Sequence, residues 1–299
     1  MARTAVLSLL LGTISLPGVG AGAENAFAIG GQCVDAGTRA RFPLRLTETF
    51  SGTVLETSVD VVHSSKAGPV LCLTGGVHGD EVDGIEVERQ IQHRLNPASV
   101  QATVITVPLI NVAAFESRSR YLLDRRDLNQ SFPGAAGGSM AARVAHRLMR
   151  HVVEHCTLLI DVHAGSDRRS NLPQIRADMR DGKTAALAHE LEPLVVLHSV
   201  PGAKTLRATA HGHGVAAVTI ELGEANRLER LAIKTVVDSI EALLARLPQR
   251  RRDCRAVASG GGAPGTEAKG CATTMYFRAS SWLRAPSGGL FLARETLGA

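Results

Sequence analysis

The stretch Val70-Leu71-Cys72-Leu73-Thr74-Gly75-Gly76-Val77-His78-Gly79-Asp80-Glu81-Val82 carries a strand, a turn and the start of a helix. Val70 to Leu73 is an unbroken apolar run, the mark of a buried strand. Gly75 and Gly76 end it. From Val82 onward, the apolar positions Val82, Ile85, Ile91 and Leu95 fall near helical spacing. His78 and Glu81 therefore sit at the carboxyl end of a strand, where the ligand sites of open α/β sheets gather.

The same alternation continues outward. Val104 to Ile110 reads as the next strand. Ser139 suits an N-cap, and Ala141, Val144, Leu148 and Val152 follow along one helix face. Leu158 to Val162 and Val218 to Ile220 read as further strands, and Leu228, Ala232, Val236, Ile240, Leu243 and Leu247 line a long helix. This order predicts an α/β three-layer sandwich with a mixed sheet. Thr- and Val-rich alternation from Phe42 to Val62 predicts a β-hairpin at one edge. Four segments follow: an N-terminal extension over 1–26, a main domain over 27–247, a linker over 248–274 and a β-like segment over 275–299. The linker contains Arg250-Arg251-Arg252 and Ser259-Gly260-Gly261-Gly262-Ala263-Pro264-Gly265. The last segment, around Trp282 and Phe291, is too short to hold a core alone.

Of 299 residues, 44% are hydrophobic and 20% charged, a balance ordinary for a folded soluble domain. The net charge is +5 and aromatics make up 3%. A nucleic-acid binder shows a denser basic face, with stacking aromatics where it binds single strands, so that class is set aside. No apolar stretch reaches the ~20 residues of a membrane-spanning helix. Arg3, the apolar run Ala5 to Leu16, Pro17 and then Ala21-Gly22-Ala23 before Glu24 read as a signal peptide. Export to the periplasm is the expectation, with a cytoplasmic protein carrying an N-terminal extension as the alternative. Cys33, Cys72, Cys156, Cys254 and Cys271 are odd in number and widely spaced, so neither a disulfide framework nor a Cys-rich metal site is expected. Cys72 and Cys156, among apolar neighbours, read as small core residues. Nothing in the sequence speaks to the oligomeric state.

His78 and Glu81, three residues apart across a strand-to-helix turn, suit one metal ion. Imidazole nitrogen and carboxylate oxygen both bind Zn²⁺, and two His with one Glu form a known catalytic ligand set. Alone, His-x-x-Glu also fits a surface or capping pair. His163 ends the strand Leu158 to Val162 and completes the set, leaving one coordination position for water. The competing reading is a core histidine bonded to backbone. Asp161 points to the same strand face as His163 and could support it. Glu221, directly after Val218-Thr219-Ile220, either faces solvent or serves the site as general base. Glu224 competes for that role but reads as the first turn of the next helix. The loop from Asn111 to Gly134 carries Arg118, Arg120, Arg125, Arg126 and Asn129, a composition that suits an oxyanion or a carboxylate and equally a solvated loop of ion pairs.

Four motifs, in order, resemble the succinylglutamate desuccinylase/aspartoacylase family, which shares the zinc carboxypeptidase fold. They are His78-Gly79-Asp80-Glu81; Asp127-Leu128-Asn129 with Phe132-Pro133-Gly134; Asp161-Val162-His163; and Ile220-Glu221-Leu222-Gly223. The resemblance covers roughly Phe27 to Leu247. It implies one zinc ion per chain on His78, Glu81 and His163, with Glu221 as base and Arg120 polarising the scissile carbonyl. It implies Asn129 and Arg176 as substrate contacts and an N-acylated amino acid as substrate. The tail Ser281-Trp282-Leu283-Arg284-Ala285-Pro286 looks like the start of the family's small β-domain, which here stops early. One position departs from the pattern: where the family places a carboxylate-gripping Arg directly after Asn129, this chain has Gln130. Either Arg118, Arg125, Arg126 or Arg176 compensates, or the substrate is neutral at that point, and the second is the expectation. Amide hydrolysis leads the functional readings. A zinc carboxypeptidase acting on short or cell-wall peptides and a binding pseudoenzyme are the alternatives.

Overall fold

In a computed structural model of the chain, residues 26–166, 169–191, 194–247 and 275–278 are described. The expected signal peptide, the linker 248–274 and nearly all of the segment 275–299 lie outside them. Along the chain run β1 (Phe27–Ile29), β2 (Gln32–Val34), β3 (Thr38–Glu48), β4 (Val54–His63), β5 (Val70–Gly75), α1 (Val82–Arg94), β6 (Thr103–Val107), α2 (Val112–Glu116) and α3 (Met140–His151). Then come β7 (Leu158–Gly165), β8 (Asn171–Ala177), α4 (Gly182–Glu190), β9 (Val195–His198), α5 (Leu206–Gly212), β10 (Ala216–Glu224), α6 (Arg230–Arg246) and β11 (Tyr276–Phe277).

Nine strands form one sheet in the order β11-β9-β8-β10-β7-β5-β6-β4-β3. Its centre, β10-β7-β5-β6, is parallel; β8 runs antiparallel to β10, and β4 antiparallel to β6. The expected hairpin is β3–β4, and β3 is the edge strand. One core lies under α1, α4 and α6, around Val87, Ile91, Leu187, Val236 and Ile240. The second lies under α3 and α5, around Val144, Leu148, Leu206 and Ala210. The result is the expected mixed sheet sandwiched between two helical layers. Among the described residues no helix is long and apolar enough to cross a membrane.

Local choices place the site. Ser139 caps α3 as expected, its side chain accepting the Ala142 N–H; such a cap contributes about 1 kcal/mol. Helix α1 lies close against β7 because Gly84 has no Cβ: one there would stand 2.5 Å from the Val162 carbonyl oxygen. That closeness brings Glu81, just before α1, against the end of β7.

The structure corrects the sequence reading in three places. The strand after α1 ends at Val107, not Ile110. Glu224 is the last residue of β10, not part of a helix, and α6 begins at Arg230. The strand continues that far because Gly223 adopts φ +58°, and the pairing with β7 shifts register there. Cys72 and Cys156 are core residues, but they are also joined by a disulfide, with Cα atoms 5.8 Å apart. Strands β5 and β7 are parallel neighbours, and the Thr157 N–H donates to the Val70 carbonyl at 2.9 Å, which brings Cys156, two residues before β7, beside the β5 cysteine. Cys33 is exposed and free.

Candidate metal centre and substrate cavity

His78 and Glu81 leave the end of β5, and His163 stands near the end of β7, one strand away. All three are buried, and one ligand atom from each lies within 4.8 Å of the others. Among the described residues no other group of this kind occurs. The carboxylate lies between the rings: Nδ1 of His78 is 2.8 Å from Glu81 Oε1, and Nδ1 of His163 is 2.8 Å from Oε2. The far nitrogen of each ring also meets a carboxylate. Nε2 of His163 is 2.7 Å from Asp161 Oδ2, and Nε2 of His78 is 3.0 Å from Asp127 Oδ1. Asp161 is itself held by the Thr74 hydroxyl, which donates at 2.8 Å.

Charge dominates this cluster. Burial alone would lower the pKa of both rings, but Glu81, with Asp127 at His78 and Asp161 at His163, reverses that and raises both. Burial would likewise raise the Glu81 pKa, yet the two imidazoles hold it well below the usual carboxylate range. Asp127, despite partial burial, is held down to about 2 by His78 and Arg120.

The donors fit a zinc ion. Both Nδ1 atoms and the carboxylate converge on one volume, and each Nε2 is engaged by a carboxylate. Carboxylate–histidine–metal sites are built in this way, the outer carboxylate fixing ring orientation and raising basicity.

A cavity of about 370 Å³ opens over the cluster. His78, Glu81, Arg120, Asn129, His163, Arg176 and Glu221 all line it. Glu221 faces His163 across the β7–β10 ladder; its Oε2 accepts from Asn171 Nδ2 at 2.9 Å, and its Oε1 lies 3.1 Å from Arg176 Nη1. Burial raises its pKa, partly opposed by Arg176 and His163. Arg120 donates to Asp127 Oδ2 through Nε (3.1 Å) and Nη2 (3.0 Å), and to Glu81 Oε1 through Nη1 (3.1 Å). Asn129 Oδ1 accepts the Leu206 N–H at 2.8 Å, tying its loop to α5.

Not every candidate reaches the cavity. Gln130 is exposed and lies outside the lining, as do Arg118, Arg125 and Arg126. Glu224 pairs with Arg227 at the end of β10, also outside it. Sequence reasoning missed Asp127 as a partner of His78, Asn171 as a partner of Glu221, and Arg207 as a buried wall of the cavity. Asp127 opens the motif Asp127-Leu128-Asn129; Asn171 and Arg207 carry no local signal.

The model of the succinylglutamate desuccinylase/aspartoacylase catalytic domain matches residues 67–247. An N-alpha-acetyl-L-2,4-diaminobutyric acid deacetylase of Halomonas elongata is 34% identical over 134 residues, 44% of this chain and 39% of the relative. The chain thus spans about two-fifths of that relative's length. A succinylglutamate desuccinylase/aspartoacylase structure from Rhodobacter sphaeroides is 27% identical, with TM-score 0.63 over 70% of this chain and 65% of that one. The product-bound ectoine utilization protein EutE of Ruegeria pomeroyi, 23% identical, matches in fold with TM-score 0.63 over 71% of this chain and 67% of its own. With the catalytic-domain match running through every element that borders the cavity, the chain belongs to the succinylglutamate desuccinylase/aspartoacylase family.

Proposed function

We propose that the chain is a zinc-dependent hydrolase that cleaves the amide bond of an N-acylated amino acid or a related small molecule. One observation carries the reading: two buried imidazoles converge on Glu81 while carboxylates engage their far nitrogens, and Glu221 shares the cavity they border. His78, Glu81 and His163 would hold one zinc ion per chain. Bound there, the ion supplies Lewis-acid chemistry, polarising an oxygen and making water more acidic.

The chain's own groups do the rest. Glu221 takes a proton from the attacking water and passes it to the leaving amine. Asn171 and Arg176 fix its two oxygens, and its raised pKa suits a group that must both accept and return a proton. Arg120, held rigid by Asp127, presents its guanidinium at the cavity wall, where it stabilises the negative charge that grows on the carbonyl oxygen. Asn129 and Arg176 line the same cavity, where they would contact the substrate. The relative from Halomonas elongata, a deacetylase of an N-acetyl amino acid by its name, supports an acylated amine as substrate.

Zinc-loaded protein tested on N-acyl amino acids and short peptides, scored by free amine released, decides among the readings. Release from N-acyl amino acids supports the deacylase. Release of C-terminal residues from peptides alone favours a carboxypeptidase. Turnover of neither, with zinc bound, favours a binding pseudoenzyme. We also propose that the protein works in an oxidising compartment, where a disulfide such as Cys72–Cys156 persists.

A further inference from the structure

Arg207, on α5, is a cation that the fold has buried without a counter-ion. It is 8% exposed. Its guanidinium donates to the Ser199 carbonyl (3.1 Å, Nη1) and the Ser199 hydroxyl (3.2 Å, Nη2), both neutral. No carboxylate lies within ion-pair distance of it among the described residues. Arg120 and Arg176 border the same cavity, but each is matched, Arg120 by Asp127 and Glu81 and Arg176 by Glu221. Arg169 stands exposed at the rim. Keeping a guanidinium out of water with only neutral hydrogen-bond partners is costly: burial, followed by the neighbouring charge of Arg176, pulls its pKa down to about 10, and Asp161, Glu221 and Asp178 oppose this only from beyond ion-pair distance. A buried guanidinium that lines a cavity wall and is held there by neutral groups is complementary to an anionic group of a ligand.

The surroundings hold Arg207 in place. Ser199 holds the head of the side chain, and Asn129 Oδ1 accepts the amide of the preceding residue, Leu206. A planar guanidinium held in this way suits a carboxylate better than a flexible ammonium would. Gln130, the position from which a neutral substrate was expected, is exposed and outside the cavity, so it does not set the charge preference of the wall.

We propose that Arg207 is the carboxylate-reading residue of the cavity, taking the free carboxylate of an N-acyl amino acid whose amide faces Glu221. This rests on the deacylase reading above and adds the anchor that selects an anionic substrate.

The test compares zinc-loaded wild type, Arg207→Gln and Arg207→Lys on N-acetyl amino acids and their C-terminal amides. Wild type should prefer the acids. Arg207→Gln should lose about 10- to 100-fold in kcat/KM on the acids, mainly through KM, the range expected for a charge-assisted contact. The amides should change little, and Arg207→Lys should recover part of the loss. Zinc content and Tm report that each variant is folded. Equal loss on acids and amides in folded protein assigns Arg207 a structural role and overturns the proposal. A wild type indifferent to the carboxylate overturns it too, and restores the neutral-substrate expectation. If wild type cleaves nothing in the panel, the deacylase reading fails separately. Succinate binding by calorimetry then tests the anion site: loss in Arg207→Gln upholds it, and unchanged or absent binding ends it.

Discussion

Glu221 is paired in register with His163 across the parallel β10–β7 ladder. Paired residues on neighbouring strands project to one face, with strands about 4.8 Å apart. A candidate base and a candidate metal ligand are thus set side by side by backbone hydrogen bonds rather than by a loop. The candidate base is positioned by the parallel centre of the sheet.

Glu221→Gln should keep the fold and the bound zinc yet lose ~100- to 10,000-fold in kcat, the usual range for a general base. Glu224→Gln should be nearly silent, because Glu224 pairs with the exposed Arg227 outside the cavity. Steady-state kinetics with metal analysis on both variants checks this. The opposite pattern would reassign the base.

The metal centre should respond in two grades. His78→Ala and His163→Ala should abolish stoichiometric zinc. Asp127→Asn and Asp161→Asn leave all three ligands but weaken the support at Nε2 of each ring, and should lower zinc affinity by about 10- to 100-fold. Competition against a chromophoric chelator measures both. Full affinity in Asp161→Asn would show that this contact does not orient the ligand.

Much of this arrangement was legible in the sequence because strands and helices have fixed periods. Asp161 and His163, two apart on a strand, had to share a face, and they bond at 2.7 Å. The turn from Leu73 to Val82 announced itself through its glycines. Other features lay beyond local pattern. β8, Asn171-Leu172-Pro173-Gln174-Ile175-Arg176-Ala177, has no apolar run, yet it brings Asn171 and Arg176 to Glu221 through an antiparallel pairing with β10. Arg207 becomes a cavity wall only because α5 docks on the Asn129 loop, 77 residues away in sequence. Glu224 was misplaced because the bulge at Gly223 lengthens a strand where the composition suggested a helix start.

Asp83 gives stability a pH dependence. It is fully buried in the first turn of α1. One oxygen accepts the Glu229 N–H at 2.9 Å, and the other has no hydrogen-bond partner. Burial pushes its pKa up to about 7, against the pull of that amide, while the unfolded value is about 3.9. Between these values the folded state keeps a proton that the unfolded chain has released. Stability from this group therefore falls as pH rises from about 4 to 7 and levels off above. Asp83→Asn keeps the shape and the acceptor without the charge. Its Tm should change less than that of wild type between pH 5 and 8, with a gain at pH 8. An identical pH slope in the variant would place the dependence elsewhere.

The Cys72–Cys156 bridge closes a separation of 84 residues between β5 and the segment just before β7, the two strands from which the candidate metal ligands reach the cavity. Removing such a cross-link from the unfolded chain restores loop entropy, and a native disulfide contributes typically ~2–4 kcal/mol. For a domain of this size that corresponds to about 5–15 °C in Tm. A Cys72→Ala/Cys156→Ala protein should therefore melt lower by that amount, part of the loss coming from the smaller side chains in a close-packed core. Reduced wild type, which keeps both side chains, separates the two contributions and should show most of the drop. Cys72 is fully buried and Cys156 nearly so, whereas Cys33 is exposed. Alkylation of native protein without reductant should therefore mark Cys33 and leave the peptides of Cys72 and Cys156 unmarked, and reduction after unfolding should expose both. The same sample, recovered from its own cells, tests export: the first residue should be Glu24. Protein whose Cys72 and Cys156 are already alkylated after unfolding without reductant, and whose N-terminus is Met1, would rule out both the bridge and the oxidising compartment.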